Sequence, residues 1–487
     1  MDADTLKSFV PELQRFMARF ADCFSDRRSR EHLPIYLRGQ LSNLDRKSVE
    51  PIALAAGVPP RTLQEFLSHL SWDHERMRDR LQQIVAVEHA GAASVGLIDE
   101  PSFVKKGTKT PGVHRQWCGH LGKIENCVVT VHLGYTQGDF QCLLDGDLFL
   151  PESWHADRDR CTAAGIPDAI AYRSKWRIAL EQYDRAVGNG MRFDWLTFDE
   201  YYGSKPEFLQ ELTGRQQQWV AEVPKSVCGW LTRPRVTQRP YRTSPRGRPR
   251  SKLRLVSGQP RAQRADELFK RHPQLRDQPW QQYRLDDREK GPSVWEVKHV
   301  RFPPTADDGL PGAACHLMVA RHVLQGAAVK YFLSNAPETT TTATLLWVAL
   351  TRHRVERCFQ DQKSELGMDH YEGRTYTGMM RHLYLTLVSY LFAMRAVVAR
   401  RGEKSGVDGA AGASGGGSAG GRAGGRKVVE RSGVSEVVGT TCEADALPTA
   451  TQQAGSTVPR NTYAAPSASE GYPTHRDVTM QTTGLAL

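Results

Sequence analysis

The chain has 487 residues, 39% of them hydrophobic, and a formal net charge of +11. That length allows two or three domains with sizeable cores, and the basic balance favours a polyanionic partner. Nine cysteines, an odd number with no CxxC among them, argue against a zinc-finger site and a disulfide framework, and the opening MDADTLKSFVPEL lacks the pattern of a signal peptide, so a reduced, cytoplasmic protein is expected.

Residues 1–90 read as helical and form the first expected region. Within it, 47–70 has the outline of a helix-turn-helix. Pro51 stands near the start of the first helix, Gly57 and Pro59-Pro60 break it, and Leu63, Phe66, Leu67 and Leu70 make an apolar stripe on the second. DNA docking and an ordinary helical hairpin both fit this pattern.

From 91 to 225 the period changes. GLID, ENCVVTVHLGY and FQCLLDG read as successive strands. A helix carrying Trp176, Leu180, Tyr183 and Val187 follows, stopped by Gly188 and Gly190. RFDWLTF is a strand ending at Asp199, PEFLQEL a helix and WVAEV a strand. The expected fold class is α/β, with a mixed sheet flanked by helices formed by 91–225 and 330–400.

Residues 226–329 interrupt that sheet as a basic, strand-rich insertion. Its segment 231–254 carries nine Arg or Lys and no acid, broken by Pro and Gly, and reads as an exposed arm. Arg246, Arg248 and Arg250 are its expected phosphate contacts. A helix near 265–270 and the strands SVWEVKHVRF and CHLMVARHV come next. KYFLSN at 330–335 is a further strand, followed by one helix over 342–365 and a last one over 379–400. The apolar run LYLTLVSYLFAMRAVV is short for a membrane span and contains Arg395, so it reads as a buried helix and no membrane partner is expected. From 401 the composition turns to Gly, Ser, Thr, Pro and Ala without periodicity, and a disordered tail over 401–487 is expected.

Three carboxylates stand out. Asp99 and Asp199 each close an apolar strand, and open sheets place such ends along one edge. Glu356 lies on a helix with Arg352 four residues before it and Lys363 seven after, all on one face. Carboxylates crowded at about 4 Å repel by about 4 kcal/mol per pair at an effective dielectric near 20, so such a cluster implies bound cations or raised pKa values. Two divalent ions held by hard oxygens can activate one phosphodiester oxygen and stabilise the other. Asp99, Asp199 and Glu356 are therefore the candidate catalytic and metal-binding residues. Arg352, Lys363, Lys105 and Lys106 are candidate DNA contacts, the two lysines from a Gly-rich hairpin beside Asp99. Taken singly, each has a plainer reading as a helix cap, a surface ion pair or a solvated hairpin.

The blocks LIDEPSFVKKGTKTPGVHRQWCGHLGKIENCVV, LTFDEYYG and RHRVERCFQDQKSELGMDHYEGR together resemble bacterial insertion-sequence transposases of the DDE superfamily, over about residues 15–400. Arg352, Glu356 and Lys363 fall on the R, E and K of the Y-x2-R-x3-E-x6-K pattern of one branch, while Ala349 stands at the tyrosine position. The resemblance implies an RNase H-like sheet with an insertion between the second aspartate and the glutamate. It also implies Mg2+-dependent cleavage, with Mn2+ as the alternative ion, of the terminal inverted repeats of double-stranded DNA. The freed 3′-hydroxyl would then join to target DNA, with a homodimer pairing two ends and the N-terminal helices reading the repeats. Two other readings stand beside it: a DNA-binding protein without chemistry, acting as a repressor, and a nuclease without strand transfer.

Overall fold

Helical and alternating segments fold largely as their periodicities predict, in a computed structural model that describes residues 3–238, 252–288, 291–324, 328–411 and 434. The described residues fall within one compact unit spanning 1–446. The chain opens with helices α1 (Ala3–Ala18), α2 (Arg27–Gln40), α3 (Val49–Ala55), α4 (Pro60–Ser68) and α5 (His74–Glu88). Strands β1 (Val95–Asp99), β2 (Ser102–Val104), β3 (His114–Cys118), β4 (Lys123–Gln137) and β5 (Phe140–Leu148) follow. Next come α6 (Lys175–Gly188), β6 (Trp195–Phe198), α7 (Glu200–Gly203), α8 (Pro206–Gly214) and β7 (Trp219–Val223). The inserted region contributes α9 (Ala265–Arg271), β8 (Gln281–Arg288), β9 (Gly291–Phe302) and β10 (Cys315–His322). The chain closes with β11 (Lys330–Ser334), α10 (Thr342–Thr351), α11 (His353–Leu366) and α12 (Tyr376–Ala411).

One mixed sheet of eleven strands runs β8-β9-β10-β11-β7-β6-β1-β4, with β2, β3 and β5 also paired to β4. β1, β6 and β7 are parallel, and β4 and β5 are antiparallel additions at one side. The insertion is thus an extension of the sheet. β11 pairs with β7, and β10 and β9 add to it in turn, with Leu333 opposite Ala221 and Leu317 opposite Leu333.

The N-terminal helices share their core with α12, so no break in packing falls at residue 90. Tyr36 Oη lies 2.8 Å from His382 Nδ1, and Gln40 donates to Thr386 and accepts from Ser389. Buried Arg381 donates to the carbonyls of Phe66 and Leu67 in the last turn of α4 and of Trp72 just before α5. The stripe Leu63, Phe66 and Leu67 is therefore packing surface, and the open face of α4 carries Arg61 and Gln64.

Two helix boundaries differ from expectation. The single helix expected over 342–365 is two, meeting at Arg352, because the second must turn to lay Val355, Cys358 and Phe359 on the sheet. α12 continues through Ala411, past the expected end at 400. It is the one helix among the described residues long and apolar enough to cross a membrane, and most of that stretch is buried in the core. The rest of the expected disordered tail lies outside the described residues, apart from Val434.

Candidate active site

Two parallel strand ends and one helix junction build the site. Ile98 of β1 stands beside Phe198 of β6, so Asp99 and Asp199 continue neighbouring strands whose backbones are about 5 Å apart. Asp199 caps α7, accepting from the backbone N–H of Tyr201 at 3.0 Å and of Tyr202 at 3.4 Å. The close seat of α7 on β7 requires Gly203, since a Cβ there would lie 1.9 Å from the Glu222 carbonyl oxygen.

Arg352, at the junction of α10 and α11, spans the cluster. Its guanidinium donates to Asp99 Oδ2 at 3.1 Å and to Glu356 Oε1 at 3.0 Å. Its charge also acts on Asp199 and Glu222. The three predicted acids therefore gather around one cation.

Negative charge is in excess here. Burial drives the Asp99 carboxyl up to about 7; Arg352 pulls against that rise, and the neighbouring Asp199 adds to it. Burial also raises Asp199, against Arg352 and its two backbone donors, with Glu222 adding to the rise. Glu356 is the open edge, its side chain 58% exposed against 17% for Asp99. Hard carboxylate oxygens are what Mg2+ takes, and an added cation would offset the burial and the Asp199 charge that raise the Asp99 pKa. The donor set therefore fits a divalent ion. Among the described residues no three His, Cys, Asp or Glu side chains are gathered tightly enough to form a ready metal cage; the Arg352 guanidinium lies between Asp99 and Glu356.

Lys363 lies on the same face of α11, its Nζ 3.3 Å from the Ser102 carbonyl and 5.1 Å from the Phe103 ring centre. Lys105 is held differently from the free hairpin cation expected. It donates to the carbonyls of Asp369 at 3.2 Å and Tyr371 at 2.9 Å, because the hairpin base folds against the loop after α11. Lys106 is exposed. Ala349 is buried, which leaves the tyrosine position without reach to solvent. Arg246, Arg248 and Arg250 lie outside the described residues. At the arm's described edge, Arg233 donates to the carbonyls of Pro311 and Gly312.

Glu100 turns away from the cluster to Lys175 at 2.6 Å and the Tyr202 hydroxyl at 2.6 Å. Glu222, which sequence reasoning missed, adds its charge from β7 and is held by Lys330 at 2.9 Å. Its signal was an acid inside the apolar strand WVAEV, one strand further along the parallel run.

Residues 19–292, more than half of the chain, match a family described as DDE superfamily endonuclease. The match takes in Asp99 and Asp199 and ends before Arg352, Glu356 and Lys363. A probable transposase for insertion sequence element IS701, from Microchaete diplosiphon, is 30% identical over 204 residues, 41% of this chain and 49% of that protein. The chain thus spans about half the length of this curated relative.

Proposed function

Because this chain belongs to the DDE superfamily endonuclease family, we propose that it is a transposase that cuts the ends of a mobile DNA segment and joins the freed 3′-hydroxyl to target DNA. The observation that carries this reading is the excess of carboxylates around Arg352 at the ends of β1 and β6. The strand order β5-β4-β1-β6-β7 supports an RNase H-like core, with the inserted strands extending its far edge.

Asp99, Asp199 and Glu356 would hold Mg2+ or Mn2+, the cations that activate the attacking oxygen and stabilise the leaving one when bound. Arg352 holds Asp99 and Glu356 on one guanidinium and favours their charged forms. Lys363 and exposed Lys106 contact the phosphate backbone beside the cut, and the arm over 231–254, with Arg246, Arg248 and Arg250, adds phosphate contacts to the duplex. Lys105 supports the hairpin from behind. The open face of α4 reads the terminal repeats, and a homodimer brings two ends together in the cytoplasm.

The competing reading is a DNA-binding protein without chemistry, favoured by the Arg352 guanidinium lying between Asp99 and Glu356. Labelled duplex taken from the DNA flanking the reading frame, incubated with a target plasmid with and without Mg2+, separates the two. The transposase reading expects cleaved and joined products only with Mg2+. Binding without any cut in either ion supports the repressor, and cutting without joined product supports a simple nuclease.

A further inference from the structure

The N-terminal half of β4 runs beyond the main sheet as the centre of a three-stranded flap, with β2 on one side and β3 on the other. Side chains alternate across it, and paired residues share a face. Phe103 pairs with Val128, Arg115 with Asn126, and Trp117 with Ile124, so these six make one face in three rows. The first row is tied to the acidic site: Lys363 covers Phe103, and Val128 is buried. Four residues of β4 lead from it to the last row.

That last row is open. Trp117 is 62% exposed and Ile124 59%, cross-strand partners with nothing packed over them among the described residues. A tip of this kind costs solubility and is ordinarily polar. Its surroundings are net cationic: from Pro101 to Glu125 the chain has Lys105, Lys106, Lys109, Arg115 and Lys123 against one acid, Glu125, which pairs with Lys123 at 3.3 Å. The flap is also held in shape, its last row curled back on its root: Ser102 Oγ, next to Phe103, lies 3.3 Å from Cys118 Sγ, next to Trp117, and Asn126 Nδ2 donates to the carbonyls of Lys105 and Gly107. A rigid aromatic surface in a field of positive charge suits a nucleobase, whose flat face stacks on an indole while the cations meet phosphate. In a paired duplex that face is covered by neighbouring bases, so the base must be unpaired.

We infer that Trp117 and Ile124 form a stacking platform for an unpaired nucleobase at the DNA end held in the acidic site. This rests on the DNA-cutting reading above and deepens it. The platform sets which end structures the protein favours and takes no part in bond breaking.

The test compares two labelled duplexes of equal length, one blunt and one with a three-nucleotide unpaired tail, bound to the full chain. Wild type is expected to prefer the tailed duplex about tenfold, Trp117→Ala to lose that preference, and Trp117→Phe to keep most of it. Because Trp117 is exposed, both variants should melt as the wild type does. The platform is overturned if wild type shows no preference or if Trp117→Ala retains it. A Trp117→Ala protein that keeps the preference but falls from dimer to monomer assigns the face to a second copy of the chain, which also overturns the proposal. Failure of wild type to bind either duplex defeats the DNA-cutting reading itself.

Discussion

Two charged clusters occupy the same sheet, and they are built on opposite rules. At the ends of β1 and β6, Asp99 and Glu356 share the one guanidinium of Arg352, with Asp199 beside them on backbone donors. On β5, Asp145 meets Arg185 at 2.8 Å and Gln82 at 3.1 Å, Asp147 meets Arg173 at 3.1 Å, and buried Arg78 adds its charge to Asp145. The second cluster balances buried carboxylates with the buried Arg78 and the half-buried Arg173 and Arg185 and is a strut between β5, α5 and α6. The first leaves carboxylates short of cations at an edge with an open side. Burial of acids is common to both; the deficit of positive charge is what sets the proposed metal site apart.

The largest expected difference comes from removing one acid from each cluster. Asp99→Asn or Asp199→Asn should lower Mg2+-dependent cleavage at least about a thousandfold, on the scale of losing a transition-state electrostatic group, with DNA binding kept in a filter or mobility assay. Asp145→Ala should leave cleavage per folded molecule unchanged yet cost about 3–5 kcal/mol in denaturant unfolding, because it strands Arg185 and Arg78 without their counter-charge. A reversal of these two phenotypes would show that the clusters have been assigned the wrong way round.

A second difference is in pH dependence. Burial holds the Asp99 carboxyl at about 7, above the ordinary 3.8 of an aspartate. The unfolded chain ionises this group first, so without metal its contribution to stability is present below about pH 4 and is lost as pH rises toward 7. Melting temperatures across that window should fall in wild type and flatten in Asp99→Asn, and added Mg2+ should flatten them too. Arg352 lowers the Asp99 and Asp199 pKa values, so Arg352→Gln should move the acidic limb of the cleavage profile to higher pH. A limb that stays in place would remove Arg352 from the electrostatics of the site.

The strands that carry Asp99 and Asp199 were legible because alternation and short apolar runs ended on those residues. The helical face joining Arg352, Glu356 and Lys363 was legible from spacing alone. What was not legible depends on distant pairing. Nothing in SVWEVKHVRF or KYFLSN tells which strand each will meet, so the insertion looked like an interruption and is an extension through β11 and β7. The packing of 1–90 on α12 was hidden for the same reason, since the stripe on α4 shows that a face is buried and not against what. Glu222 escaped notice because its place beside the site follows from the order of β1, β6 and β7.

The smallest differences concern two neighbouring lysines. Lys106 is exposed, so Lys106→Ala should reduce the salt slope of duplex binding by about 1 and leave melting unchanged. Lys105 donates to two carbonyls, so Lys105→Ala should cost about 1 kcal/mol of stability per hydrogen bond lost and leave the salt slope nearly unchanged.

Glu356 gives the sharpest single test, for it lies beyond the stretch matched by the family and reaches Asp99 through Arg352. The measurement is the rate at which Glu356→Gln and wild-type protein cut labelled flanking duplex in saturating Mg2+, at equal occupancy of DNA. One shared cation site predicts that the variant binds as wild type and cuts at least about a thousandfold more slowly. Cutting by Glu356→Gln at the wild-type rate would contradict it.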